Sequence, residues 1–100
     1  MLTKEQIEVT KGSDNVFEDL GFSPTEAMNL KIRADLIISI RSFILEKGWT
    51  QQQAAQFFNE TQPRISNLMN GDISRFSVDK LINMIGKTPL KIKLEVSSNG

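Results

Sequence analysis

Residues 50–71 read TQQQAAQFFNETQPRISNLMNG and carry the clearest structural signals of the chain. Thr50, followed three residues later by Gln53, forms the pattern of a capping box, in which each side chain accepts a hydrogen bond from the other residue's backbone N–H. Asn59 tolerates the left-handed conformation that ends a helix, and Thr61 is a typical N-cap for the next one. The pattern therefore predicts two short helices joined by a tight turn.

The two predicted helices differ in the side chains that they carry. Ala54 and Ala55 in the first helix are small, so the second helix can cross it at close range. The second helix exposes polar side chains that can reach base edges, with arginine suited to guanine and glutamine or asparagine suited to adenine. This pattern indicates readout of duplex DNA in the major groove, and a plain helical hairpin with a solvated face is the alternative. The predicted base-facing residues are Gln62, Arg64, Ser66 and Asn67.

The same stretch resembles the DNA-binding domain of lambda-type phage repressors and of the xenobiotic-response-element class of regulators. A glutamine opens each of the two helices, Gln51 and Gln62, and an Asn-Gly pair, Asn70 and Gly71, ends the second. The resemblance implies that Asn70 contacts backbone phosphate and that Gly71 is the left-handed C-cap. Arg75 lies near the expected phosphate path, and a free surface arginine is an equal alternative. The residues expected at phosphates are Gln51, Gln52, Thr61, Asn70 and Arg75.

The flanking segments extend this resemblance to most of residues 12–96. They read GSDNVFEDLGFSPTEAMNLKIRADL and FSVDKLINMIGKTPLKIKLEV, and they are similar to a subset that contains HigA-like antitoxins. Such proteins are usually encoded beside a toxin, which they neutralise while repressing the shared promoter. The resemblance therefore implies a repressor that is the antitoxin of a toxin–antitoxin pair. A stand-alone regulator shares the same scaffold, and a module that acts by inhibiting a protein partner is a third alternative.

The amino-acid composition excludes several kinds of functional site. The 100 residues include no cysteine and no histidine, which excludes disulfides, ordinary zinc sites and imidazole catalysis. The N-terminal carboxylates occupy cap or solvent-facing positions with no nucleophile or base beside them, so we expect neither an enzyme nor a cofactor. The sequence lacks an apolar run of about eighteen residues and a secretion signal. We therefore expect a cytoplasmic protein with no membrane segment.

Charge is unevenly distributed, although the formal net charge is zero. Residues 1–30 carry two basic and six acidic side chains, whereas residues 31–100 carry ten basic and six acidic ones. The part that contains the two-helix motif is therefore basic, but only modestly so for a ligand of the DNA polyanion. We expect weak, salt-sensitive binding by a monomer and useful affinity when a homodimer engages a palindromic operator.

The sequence predicts one all-α domain, a lambda-repressor-like helix-turn-helix bundle of about five helices with a short N-terminal helical arm and one C-terminal strand. A short helix should run from Ser13 or Asp14 to Leu20, and a long one from Ser23 to Gly48. A further helix should follow Ser77. Val16, Phe17, Leu20 and Phe22 are expected to cap the core. The expected boundaries are 1–12 for a flexible arm, 13–87 for the DNA-binding domain, 88–97 for a dimerisation strand and 98–100 for a disordered tail.

The segment LKIKLEV alternates apolar and charged residues, which predicts a β-strand. A single strand leaves its backbone groups unpaired unless another strand joins it. We expect a second copy of the chain to supply that strand in an antiparallel sheet across a dimer axis, and the N-terminal QIEVT is the rival partner. The residues expected at the dimer contact, packed on the last helix, are Leu90, Ile92, Leu94 and Val96.

Overall fold

The structure is a computed structural model that describes residues 6–10 and 15–97. Of the expected arm at 1–12, only residues 6–10 are described, and the expected tail at 98–100 lies outside the described residues. The helices pack as an all-α helix-turn-helix bundle, which confirms the predicted fold class. In chain order the elements are β1 (Gln6–Thr10), α1 (Val16–Asp19), α2 (Pro24–Lys47), α3 (Gln51–Phe58), α4 (Gln62–Met69), a 3-10 turn (Ile73–Arg75), α5 (Val78–Ile85) and β2 (Lys91–Glu95).

The long helix α2 begins and ends where the sequence predicts. Ser23 and Glu26 form a capping box, in which the Ser23 hydroxyl accepts from the Glu26 backbone N–H at 3.2 Å. Gly48 ends the helix with φ at +71°, a conformation that an L-residue with a side chain rarely adopts. One face of α2 is buried against the later helices and supplies about a third of the core, through Leu36, Ile37, Ile40, Phe43 and Ile44.

The rest of the core comes from α3, α4 and α5. Phe58 of α3, Ile65 and Leu68 of α4, and Leu81 of α5 are fully buried. A cluster of aromatic rings packs at the C-terminal end of α2. The ring centroid of Phe43 lies 5.7–6.3 Å from the centroids of Trp49, Phe57 and Phe58. These contacts hold the short helices α3 and α4 in a fixed position on α2.

Helix α1 differs from its prediction in its start and in its packing. It begins at Val16, because Asn15 is its N-cap and accepts from the Phe17 backbone N–H at 2.9 Å. The amide of the buried Asn15 also donates to the Ala27 carbonyl at 3.0 Å, which ties α1 to α2. Phe17 is half-buried and its ring packs edge-on against that of Phe22 at 6.3 Å, outside the main core. The exposed fractions are 53% for Val16 and 69% for Leu20, so the expected cap on the core is wrong.

The C-terminal strand has its partner within the same chain. β1 pairs with β2 in parallel, in a register that joins Gln6 to Lys91 and Thr10 to Glu95. The rival partner QIEVT therefore occupies one edge of β2, and within residues 6–10 the expected flexible arm is a strand. The expected packing on the core holds for Leu90, which is buried just before β2, and partly for Ile92, which is half-buried against the core. It fails for Leu94 and Val96, which are 63% and 81% exposed.

Candidate nucleic-acid interface

The two-helix motif begins with the predicted capping box on α3. The Gln53 backbone N–H donates to the Thr50 hydroxyl at 3.1 Å, and the Thr50 backbone N–H donates to Gln53 Oε1 at 2.9 Å. Ala54 is fully buried, which fits a close crossing of α3 and α4. The turn follows Asn59, which has φ at +56° as its residue type predicts. The local signals of the sequence are confirmed throughout this turn.

Two lysines in and just after the last helix contact the turn, and neither contact was predicted from the sequence. The Lys80 ammonium forms an ion pair with Glu60, whose side chain is only 9% exposed. The Lys87 ammonium donates to the Phe58 carbonyl at 2.6 Å, at the end of α3. Both contacts join residues at least twenty positions apart, so helical spacing could not reveal them. They join α5 and the residues just after it to the end of α3 and to the turn.

Helix α4 turns an apolar side inward and a polar side outward. Thr61 is its N-cap and accepts from the Arg64 backbone N–H at 3.3 Å. Ile65 and Leu68 are buried, and at 100° per residue Ser66 and Asn67 lie on the opposite side of the helix, where both are half-buried. Gln62 is exposed at the start of the helix.

Arg64 lies on the flank of α4 and is held there by an aromatic ring. Its guanidinium carbon is 5.0 Å from the ring centroid of Phe76, and the side chain is half-buried. The position of Phe76 is fixed in turn by Arg33 of α2, whose Nη1 donates to the carbonyls of Ile73 and Phe76 at 3.2 Å each. The sequence placed Arg64 on the exposed face but missed its contact with Phe76.

The residues expected at phosphates lie at the two ends of the motif. Gln51 and Gln52 open α3, with Gln51 half-buried and Gln52 exposed. Thr61 uses its hydroxyl to cap α4. Asn70 is the exposed C-cap of α4. Within residues 15–97, no hydrogen bond joins these side chains to one another.

The loop after α4 is shaped by Gly71 and Asp72. Gly71 has φ at +74°, as predicted for the left-handed position. Asp72 accepts from the Ser74 hydroxyl at 2.7 Å and from Arg75 Nε at 2.9 Å. The pKa of the Asp72 carboxyl lies below its usual range, chiefly because the carboxylate accepts the hydrogen bond from Ser74. The hydrogen bond from Arg75 and the positive charge of Arg75 lower the pKa further. Arg75, a phosphate candidate, is therefore already paired with a carboxylate.

A family of helix-turn-helix domains matches residues 16–97 of the chain, which includes all five helices and β2. The chain belongs to this helix-turn-helix family. Membership indicates a DNA-binding regulator, and such domains are typically non-enzymatic. No curated protein matches the chain. Of the helices that the structure describes, none is long and apolar enough to cross a membrane. The helix-turn-helix unit proper is α3, the turn and α4.

Proposed function

We propose that this helix-turn-helix protein is a transcriptional repressor that recognises a specific sequence of double-stranded DNA with α4 in the major groove. The observation that carries the proposal is the polar outer side of α4 on a fixed turn. Gln62, Ser66 and Asn67 have side chains that can hydrogen-bond base edges, and Arg64 is pre-positioned on Phe76. A rigid support favours readout, because little conformational entropy is then lost on binding.

Selection from a random duplex library at a defined salt concentration tests this function. The wild-type protein is expected to enrich a palindromic site whose half-sites are about one turn of DNA apart. Recovery of DNA without any enriched sequence would contradict specific recognition, and no recovery at low salt would contradict DNA binding altogether.

The functional unit in this proposal is a homodimer joined through β2. Within the described chain, β2 pairs with β1 along one edge, and its other edge has no partner strand. Parallel sheets are usually covered on both faces, and a two-stranded sheet is marginal alone. The exposed Leu94 and Val96 could pack against the same residues of a second copy. Two antiparallel β2 strands would then form the centre of a four-stranded sheet.

Charge placed on that exposed surface tests the dimer. The double variant Leu94→Glu, Val96→Glu is expected to sediment as a monomer with its helical content unchanged, since both side chains are already exposed. Leu20→Glu is the control, because Leu20, the C-cap of α1, is comparably exposed and lies outside both strands. A double variant that sediments like the wild type would contradict dimerisation through β2.

A second role, as the antitoxin of a toxin–antitoxin pair, is also part of the proposal. It is supported by the resemblance to HigA-like antitoxins and by α1, which exposes Val16 and Leu20 beside the carboxylates of Glu18 and Asp19. An acidic surface with exposed apolar side chains suits a basic partner such as a ribonuclease. A stand-alone repressor with no such partner is the alternative.

The neighbouring reading frame distinguishes these two roles. A short basic protein encoded beside this gene should arrest growth when expressed alone and should be neutralised by co-expression of this chain. The variant Leu20→Glu should then lose neutralisation and keep DNA binding. An isolated gene, or a neighbour without toxicity, would favour the stand-alone repressor.

A further inference from the structure

Arg41 of α2 lies beside the end of α4 that is expected to contact phosphate. A Cβ placed on Gly71 would be 3.9 Å from Arg41 Nη1. Gly71 directly follows Asn70, so the Arg41 guanidinium reaches the loop that leaves the helix-turn-helix unit. This contact joins residues thirty positions apart and was not predicted from the sequence.

The charge of Arg41 has no partner in the part of the chain that the structure describes. Its Nε is buried and makes no hydrogen bond there. The nearby carboxylate of Asp72 is bonded instead to Ser74 and Arg75. A buried N–H donor such as Arg41 Nε normally finds an acceptor, and leaving it without one is costly. Arg41 is therefore placed at a cost to stability that another role must explain.

Capping of α4 does not explain this placement. Carbonyls in the last turn of the helix already have hydrogen-bond donors. The backbone N–H groups of residues 70–72 donate to the carbonyls of Ser66, Asn67 and Leu68, each at 3.0 Å. Arg41 is thus not required as a hydrogen-bond donor to these carbonyls. Its guanidinium has several N–H donors in a planar arrangement that matches the oxygens of a phosphate.

We infer that Arg41 binds a phosphate of the DNA backbone together with Asn70. This inference rests on the proposed function and adds a contact from α2 to an interface otherwise built from α3, α4 and the following loop. A phosphate oxygen supplies the missing acceptor, and the bond is charge-assisted at both ends. The contact positions α4 along the duplex and reads no base, so it acts equally on all DNA sequences.

The variant Arg41→Met tests the inference, because methionine keeps the apolar stem and removes the unpaired donor. Thermal unfolding should show a stability equal to or above that of the wild type. The slope of log Kobs against log salt should fall in magnitude by about 0.9, the value for one phosphate contact. Affinity should fall by the same factor for the selected site and for an unrelated duplex. Arg41→Lys should retain the wild-type slope.

Lys31→Gln is the matched control, since it removes one positive charge from the same helix at a site paired with Asp35. It should leave the salt slope unchanged. An Arg41→Met variant with the wild-type slope would overturn the inference and leave DNA binding intact. An unfolded Arg41→Met variant would overturn it too, by showing a structural role. A wild-type protein without salt-dependent binding would overturn the proposed function itself.

Discussion

The guanidinium of Arg64 lies on the ring of Phe76, 5.0 Å from its centroid, and this contact links the outer side of α4 to the core. Phe76 is buried, so the ring is a fixed support. A cation over an aromatic face is attracted to it and loses part of its rotamer freedom before any ligand arrives. Arg64 is therefore a base-reading candidate whose position is set by the fold.

Replacement of Arg64 by alanine should relax recognition at one base pair. One bidentate arginine–guanine pair contributes about 1–3 kcal/mol of discrimination, so that preference should be lost at a single position of each half-site. Competition binding with single-base variants of the selected site measures the base preference at each position. Arg75→Ala is the control, because it removes the same charge from an arginine expected at phosphate and should keep the preference at every base pair. If Arg64→Ala lost affinity equally on specific and random DNA, its assigned role would be wrong.

Replacement of Asn70 by alanine should weaken binding to every sequence by a similar factor. Asn70 is the exposed C-cap of α4, and the expected partner of its side chain is a backbone phosphate. Titration of the selected site and of an unrelated duplex at the same salt concentration gives the two factors. A loss confined to the selected site would instead assign Asn70 to a base.

The ion pair between Glu60 and Lys80 should stabilise the turn of the helix-turn-helix unit. Glu60→Gln should cost about 1 kcal/mol of unfolding free energy, since it removes the charge of the enclosed Glu60 while Lys80, 35% exposed, stays partly solvated. A double-mutant cycle with Lys80→Met, followed by urea unfolding, isolates the pair. Strictly additive effects of the two substitutions would show that the pair contributes nothing to stability.

Replacement of Ala54 by leucine should destabilise the fold. Ala54 is fully buried where α3 packs against its neighbours, and extra methyl groups in a filled core typically cost about 1–3 kcal/mol. Gln56→Leu is the control, because it places the same side chain on an exposed position of the same helix. The lone Trp49 packs on Phe57 of this helix and reports unfolding by its fluorescence. Equal stability of both variants would refute the close crossing.

The features that the sequence predicted are those set by neighbours along the chain. The capping boxes at Ser23 and Thr50, the left-handed Asn59 and the glycine ends at Gly48 and Gly71 each depend on a few adjacent residues. Local hydrogen bonds and backbone preferences determine them, so a short window of sequence contains the necessary information. The helix-turn-helix bundle follows from those boundaries and from the apolar spacing between them.

The features that the sequence left open or missed join distant residues. QIEVT was only the rival partner of the C-terminal strand, and β1 meets β2 across more than eighty positions. The approach of Arg41 to Gly71, across thirty positions, was missed. Neither pairing leaves a periodic signal, because each depends on how α2 packs against the rest of the bundle. The outward turn of Val16 and Leu20 has the same origin, since the buried amide of Asn15 decides the direction of α1. In the candidate interface, residue types were predictable but their supports were not.

The proposal that α4 supplies sequence specificity is tested by a parallel selection from one random duplex library. The two proteins compared are the wild type and a variant with alanine at all four positions proposed to face bases, Gln62, Arg64, Ser66 and Asn67. The wild type should enrich a palindromic site, and the folded variant should recover DNA without sequence preference. Enrichment of the same site by both proteins would show that α4 does not supply the specificity.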